Sequence, residues 1–150
     1  MRILISTDGS EFSRAAVEKC FEIIVAPEKT SIKIVSVFEV AEPLDISISP
    51  EFSEQLESSA RKKAEGFAEQ AAARVRERFP QIDLTTEVSL GAPDETLIGT
   101  ARKWSADLIV IGSHGRGFWG RMLLGSITDS LVHHAPCSVL VVRGTNQGSL

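Results

Sequence analysis

Residues 107–126 read Asp-Leu-Ile-Val-Ile-Gly-Ser-His-Gly-Arg-Gly-Phe-Trp-Gly-Arg-Met-Leu-Leu-Gly-Ser. After Asp107 the run Leu108 to Ile111 is apolar at every position, the mark of a strand buried on both faces of a parallel sheet. It stops at Gly112. Glycines at 112 and 115 allow a close approach that any Cβ would block, so successive peptide N–H groups can converge on the oxygens of an anion. The nine residues from Arg116 to Leu124 span at most about 30 Å if extended, ample for the chain to leave the sheet and return beside it. Gly125-Ser126 then opens a helix whose first amides lack internal partners and stand at the positive end of its dipole. Strand, glycine-rich loop and helix start together make a place for phosphate.

Working outward, short apolar runs alternate with longer helical patterns. This is the signature of βαβ units and of a mostly parallel sheet covered on both faces. Arg2 to Thr7 forms a first strand that stops at Asp8-Gly9-Ser10, where turn chemistry and a helix N-cap coincide. Phe12, Ala15, Ala16, Cys20, Ile23 and Ile24 recur at helical steps until Pro27. Ser31 to Val40 is β-branched and reads as the second strand, with Ala41 to Pro50 a loop holding two prolines. Ser49-Pro50 supplies a cap and first helical residue for a long crossover helix to Phe79, with Phe52, Leu56, Ala60, Phe67, Ala71 and Val75 on one side. Ile82 to Ser89 alternates with period two, as an edge strand does. Asp94 is expected to cap a short helix through Leu97, Ile98, Ala101 and Trp104. After the loop, Ser126 to His134 forms a helix stopped by Pro136, and Ser138 to Arg143 forms the last strand.

Composition bounds the function. At 150 residues one core is expected across 1–150, with the polar stretch 144–150 a frayed tail. The chain is 43% hydrophobic and 24% charged, the balance of a soluble globular domain. With 16 Lys and Arg against 20 Asp and Glu, and no block of like charge, nucleic acid is not an expected partner. Arg116 and Arg121 still favour a small anion locally. Cys20 and Cys137 sit far apart among apolar neighbours and read as buried thiols in a reducing compartment. Met1-Arg2-Ile3-Leu4-Ile5 meets Asp8 too early for a signal peptide, and no apolar run approaches membrane-spanning length, so a cytoplasmic location is expected.

Asp8 ends the first strand where an open α/β sheet places its ligands, and two roles stand open for it. It can accept from ribose hydroxyls or hold a metal ion, or it can cap the first helix. Phe118 and Trp119 read as packing residues of the loop. His114 has no paired carboxylate in view and reads as a loop spacer, and His133-His134 suit the negative end of a helix.

Gly112-x-x-Gly115, nine residues, Gly125-Ser126 resembles the ATP-binding pattern GxxG-x9-G[ST] of the universal stress protein family. ILISTDGS (3–10), DLIVIGSHGRG (107–117) and PCSVLVVR (136–143) resemble that family's first strand and turn, fourth strand and loop, and last strand. The resemblance covers nearly the whole chain. It implies a single-domain α/β fold with a five-stranded parallel sheet in the order 3-2-1-4-5, and a homodimer pairing the last strands, Ser138 to Arg143. It also implies adenine-nucleotide binding linked to stress survival. Carried over by position, Asp8 contacts ribose, the backbone of Val37 meets adenine, and Gly112, Gly115, Gly125 and Ser126 hold phosphates. Arg116 is the basic residue after the second glycine. The ligand expected is ATP, or ADP or AMP, with Mg2+ or Mn2+ on the phosphates. Ser36, where a histidine is frequent, and the extra glycines at 117 and 120 depart from the pattern. No nucleophile and base pair stands out, so any hydrolysis should be slow. The alternatives are a nucleotide-transferring or pyrophosphatase-like enzyme, whose loop after the first strand Asp8-Gly9-Ser10-Glu11 lacks, and a ligand-free interaction module.

Overall fold

The computed structural model describes residues 1–40, 49–116 and 124–144. Residues 41–48 of the expected proline loop, the aromatic pair Phe118-Trp119, Arg121, the glycines at 117 and 120, and all of the tail but Gly144 lie outside the described residues. In chain order the elements are β1 (Arg2–Ser6), α1 (Glu11–Ile23), a 3-10 turn (Pro27–Lys29), β2 (Ser31–Phe38), α2 (Pro50–Arg78), β3 (Asp83–Leu90), α3 (Pro93–Trp104), β4 (Leu108–Gly112), α4 (Ser126–His134) and β5 (Ser138–Val142).

The five strands form one parallel sheet in the order β3-β2-β1-β4-β5. The period-two strand β3 takes an edge, and the continuously apolar β4 lies between β1 and β5, as their patterns require. Because side chains alternate across a sheet, each strand feeds two cores. Ile3, Ile5, Ile32, Ile34 and Val110 face α1 and α2, where Ala16, Cys20, Ala68, Ala72 and Val75 complete the layer. Leu4, Val35, Ile109 and Ile111 face α3 and α4, meeting Leu97, Ala101 and Leu131. Burying a large aliphatic side chain contributes about 1.5–3 kcal/mol, so these two layers dominate the stability. The alanines of α2 let its backbone approach the sheet closely.

Local chemistry sets the helix starts. Ser10 caps α1 by accepting from the Ser13 N–H at 3.1 Å. Ser49 caps α2, accepting from the Phe52 N–H at 3.3 Å, with Pro50 in the first turn. Phe52 itself is 50% exposed, so the apolar stripe expected on α2 does not extend to its first turn. Asp94 is not the cap of α3: Ala92 holds that position, Pro93 follows, and the Asp94 carboxylate accepts from the Ser130 hydroxyl of α4 at 2.7 Å. That bond holds the Asp94 carboxyl below its ordinary range. Helix α3 ends at Ser105 in the left-handed region (φ 53°), and Asp107 then bonds both ways to Arg2, starting β4 beside β1. Among the described residues no helix is long and apolar enough to cross a membrane.

Candidate functional site

The sheet reverses its winding between β1 and β4: β2 and β3 extend it one way from β1, β4 and β5 the other. In such sheets a crevice opens outside the carboxyl ends of the strands at that point. Here a cavity of about 80 Å³ lies there, lined by Asp8, Val37, Pro93, His114, Gly115 and Thr128 among others. Small-molecule pockets run to roughly 300–1,000 Å³, so this cavity is the floor of a ligand site, not an enclosure for one.

Asp8 is the hub of this floor. Its Oδ1 accepts from the Ser10 N–H at 3.0 Å and its Oδ2 from the Arg116 N–H at 2.9 Å. Of the two roles left open for it, capping α1 falls to Ser10. Asp8 instead ties the end of β1 to the start of α1 and to the loop after β4. Gly9, beside it, adopts φ +75°, and a Cβ there would lie 2.4 Å from the Phe67 ring of α2.

The three glycines of the pattern serve unequal ends. A Cβ on Gly112 would lie 2.6–2.8 Å from the backbone and Cβ of Phe12, so this glycine is what lets α1 seat against the end of β4. Its carbonyl accepts from the buried Thr128 hydroxyl at 3.0 Å, which joins α4 to β4. Gly115 is exposed, and among the described residues a Cβ there would meet only Asp8 Oδ2, at 3.0 Å. Gly125 is the N-cap of α4, and its N–H donates to the Ser113 carbonyl at 2.9 Å. The Arg116 guanidinium lies 4.3 Å from the centroid of the Phe67 ring, so it is placed toward α2.

Two sets of backbone groups face the crevice side without partners among the described residues. The first is at α4: the first bond within the helix is from the Asp129 N–H to the Gly125 carbonyl, and no side chain caps the helix. The amides of Ser126, Ile127 and Thr128 therefore remain for a ligand at the positive end of the helix dipole. The second is Val37. The Val35 carbonyl accepts from the Thr7 N–H at 3.0 Å, where β1 ends. Peptide groups two residues apart on a strand point the same way, so those of Val37 point past the end of β1.

Sequence reasoning missed His114 as a lining residue. Its Nδ1 lies 3.0 Å from the Ser113 Oγ, and its ring packs against Phe12 at 5.3 Å. Ser113 is only 2% exposed, so its hydroxyl orients the ring and is screened from solvent. The adjacent Ser-His was the signal available, though adjacency in sequence alone does not distinguish this pair from many others. Pro93 and Thr128 also line the floor and carried no local signal at all. Among the described residues no cluster of three His, Cys, Asp or Glu side chains is placed to hold a metal ion.

Fold and crevice define a doubly wound α/β protein with an anion-suited cleft at its switch point. Residues 1–143 match the universal stress protein family, and the chain belongs to it. It is 31% identical over 142 residues to a universal stress protein of Mycolicibacterium smegmatis, covering 94% of this chain and 45% of that one. It is 29% identical over 142 residues to universal stress protein MJ0531 of Methanocaldococcus jannaschii, covering 95% and 81%. The chain thus spans about half the length of the first relative and most of the second. Among solved structures, hypothetical protein MJ0577 superposes with TM-score 0.83 at 23% identity over 97% of each chain. A universal stress protein in complex with cAMP gives 0.69 at 22%, over 97% of this chain and 98% of that one. An Arabidopsis thaliana family protein with AMP bound gives 0.66 at 17%, over 100% and 96%. At these identities the structural likeness is one of fold.

Proposed function

We propose that this chain binds an adenine nucleotide, ATP or its ADP and AMP relatives, in the crevice between β1 and β4, and acts as a nucleotide-responsive regulator in a stress response without rapid turnover. The observation that carries this reading is the uncapped first turn of α4, whose amides open beside Asp8 and the peptide groups of Val37. In it Asp8 accepts from ribose hydroxyls, the Val37 backbone meets the edge of the base, and Gly115, Gly125 and Ser126 hold phosphate. Gly112 and Arg116 set the path of the loop. Two solved relatives carry cAMP and AMP, which agrees with an adenine nucleotide in general and leaves ATP as the finer part of the proposal. With no three-residue metal cluster among the described residues, a Mg2+ or Mn2+ ion belongs on the phosphates in this reading.

Slow chemistry follows from what lines the floor. Rapid hydrolysis needs an oriented water and stabilisation of charge at the transition state. Among the described residues the titratable side chains lining the floor are Asp8 and His114, and both are already engaged by neighbours. The free thiols Cys20 and Cys137 suit the reducing cytoplasm in which such a regulator would work. We also place a homodimer contact at β5, an edge strand whose outer backbone groups lack a partner strand. Sedimentation of a monomer at micromolar concentration would remove that part alone.

Calorimetric titration of the purified protein with ATP, ADP and AMP, each with and without Mg2+, tests the nucleotide reading. Saturable one-site binding that Asp8→Ala weakens at least about tenfold is expected, the loss typical of a hydrogen bond to a charged group. Absence of heat with all three nucleotides would instead favour a ligand-free interaction module.

A further inference from the structure

Beside the crevice floor, between the end of β2 and α2, lies a second cavity of about 280 Å³. It shares Asp8 and Val37 with the floor, and its walls include Ser36, Lys63, Phe67 and Arg116. Ser36 is 1% exposed, and its Oγ is the one buried side-chain atom among the described residues with no hydrogen-bond partner. Buried hydroxyls are nearly always paired, so an orphan lining a cavity marks where a ligand oxygen belongs. Lys63 and Arg116 are exposed, and neither forms an ion pair among the described residues. The Phe67 ring fixes the Arg116 guanidinium in advance of any ligand. Two acids also border the cavity: Asp8, whose carboxylate is already offset by two N–H donors, and Glu39, which is exposed to water.

We infer that this cavity receives a phosphate group carried on a ribose hydroxyl, so that the preferred ligands are adenosine nucleotides phosphorylated at the 2′ or 3′ oxygen as well as at 5′. The inference rests on the nucleotide reading, in which the ribose hydroxyls meet Asp8. A group attached to one of them then lies where the two cavities join. Ser36 donates its hydroxyl proton to a phosphate oxygen, and Lys63 and Arg116 supply the opposing charge.

The test is calorimetric titration of the whole chain with AMP, adenosine 2′,5′-bisphosphate and adenosine 3′,5′-bisphosphate, in low salt without inorganic phosphate. One bisphosphate should bind about tenfold tighter than AMP, the size expected of one hydroxyl and two partly solvated cations. Which of the two gains identifies the ribose oxygen. Ser36→Ala and Lys63→Gln should each reduce that gain while AMP affinity stays as in the parent, and circular dichroism checks that both fold. AMP binding with no advantage for either bisphosphate overturns this inference alone, as does an advantage that survives in both variants. No binding by any of the three overturns the nucleotide reading with it.

Discussion

Alanine at Gly112 and at Gly115 should separate packing from binding within one loop. At Gly112 the new Cβ would lie 2.6 Å from the carbonyl carbon of Phe12, 2.7 Å from its Cβ and 2.8 Å from its carbonyl oxygen. Two of these are backbone atoms of α1, so no rotamer change relieves the overlap, and the helix or the end of β4 must shift. Overpacking of this kind costs about 1–3 kcal/mol. For a chain of this length that lowers Tm by roughly 2–12 °C. At Gly115 the Cβ would meet, among the described residues, only Asp8 Oδ2, at 3.0 Å, on an exposed residue. Stability should change by no more than about 0.5 kcal/mol, as at ordinary surface positions. The Asp8 carboxylate, however, must shift by a few tenths of an ångström, which its bond from the Arg116 N–H can follow but which moves the oxygens offered to the ribose. Nucleotide affinity should therefore fall about tenfold in Gly115→Ala, the loss of one hydrogen bond from a ribose hydroxyl to a charged group. Scanning calorimetry measures the first effect and titration calorimetry the second. A Gly112→Ala protein melting within about 1 °C of the parent would refute the steric argument, since even the smallest overpacking cost moves Tm further. Parental affinity in Gly115→Ala would refute the binding argument.

Gly9→Ala should be costlier than a typical loop substitution, about 2–4 kcal/mol by urea unfolding, because it combines a left-handed φ with a ring 2.4 Å away. In a Phe67→Ala background the penalty should shrink to the φ cost; an unchanged penalty would show that the ring is not the obstacle. Burial pushes the Cys20 thiol up to about 12 from an ordinary 9.0. The folded chain therefore keeps a proton that the unfolded chain loses. Stability is intact below pH 9.0 and falls as pH rises toward about 12, by at most about 1.4 kcal/mol per pH unit. Cys20→Ala should flatten that alkaline slope, and the chain has no tyrosine to confuse the reading; equal slopes in urea unfolding series would reject the assignment. Ser130→Ala should move the Asp94 titration upward in an NMR pH series, because the hydroxyl bond is the main cause of its depression; a fixed midpoint would mean that another group holds it down.

The strands and main helices were legible because their signals are local. Continuous apolar runs gave the interior strands, alternation gave the edge strand β3, and Ser49-Pro50 gave the start of α2. The order of the sheet came from resemblance, since no periodicity encodes it. What escaped the sequence depends on residues far apart along the chain. Asp94 reads as a cap until Ser130, 36 positions on, is seen to claim its carboxylate. At Gly112 the glycine pattern is visible in the sequence but Phe12 seated against it is not, and at Gly9 the turn is visible but the Phe67 ring is not. The short 3-10 turn at Pro27–Lys29 carries too few residues to show a period.

The geometry around Asp8 bears on how such a site can bind without first coming apart. Ser10 opens α1, Arg116 follows β4, and Phe67 on α2 packs against both Gly9 and the Arg116 guanidinium. Four segments thus meet at one carboxylate. An ionised carboxylate offers about four lone-pair sites, and Asp8 commits two of them internally. The remaining two match the two hydroxyls of a ribose, so a nucleoside can be engaged while both internal bonds persist. The first amides of α4 likewise have no partner among the described residues. Little internal bonding is exchanged for ligand bonding on either side of the crevice, which is the condition under which modest contacts yield net affinity. The same economy constrains specificity: removing the 2′ hydroxyl from AMP leaves one acceptor of Asp8 facing only water and supplies nothing in its place, so 2′-deoxyadenosine 5′-monophosphate should bind more weakly than AMP with the internal frame unchanged.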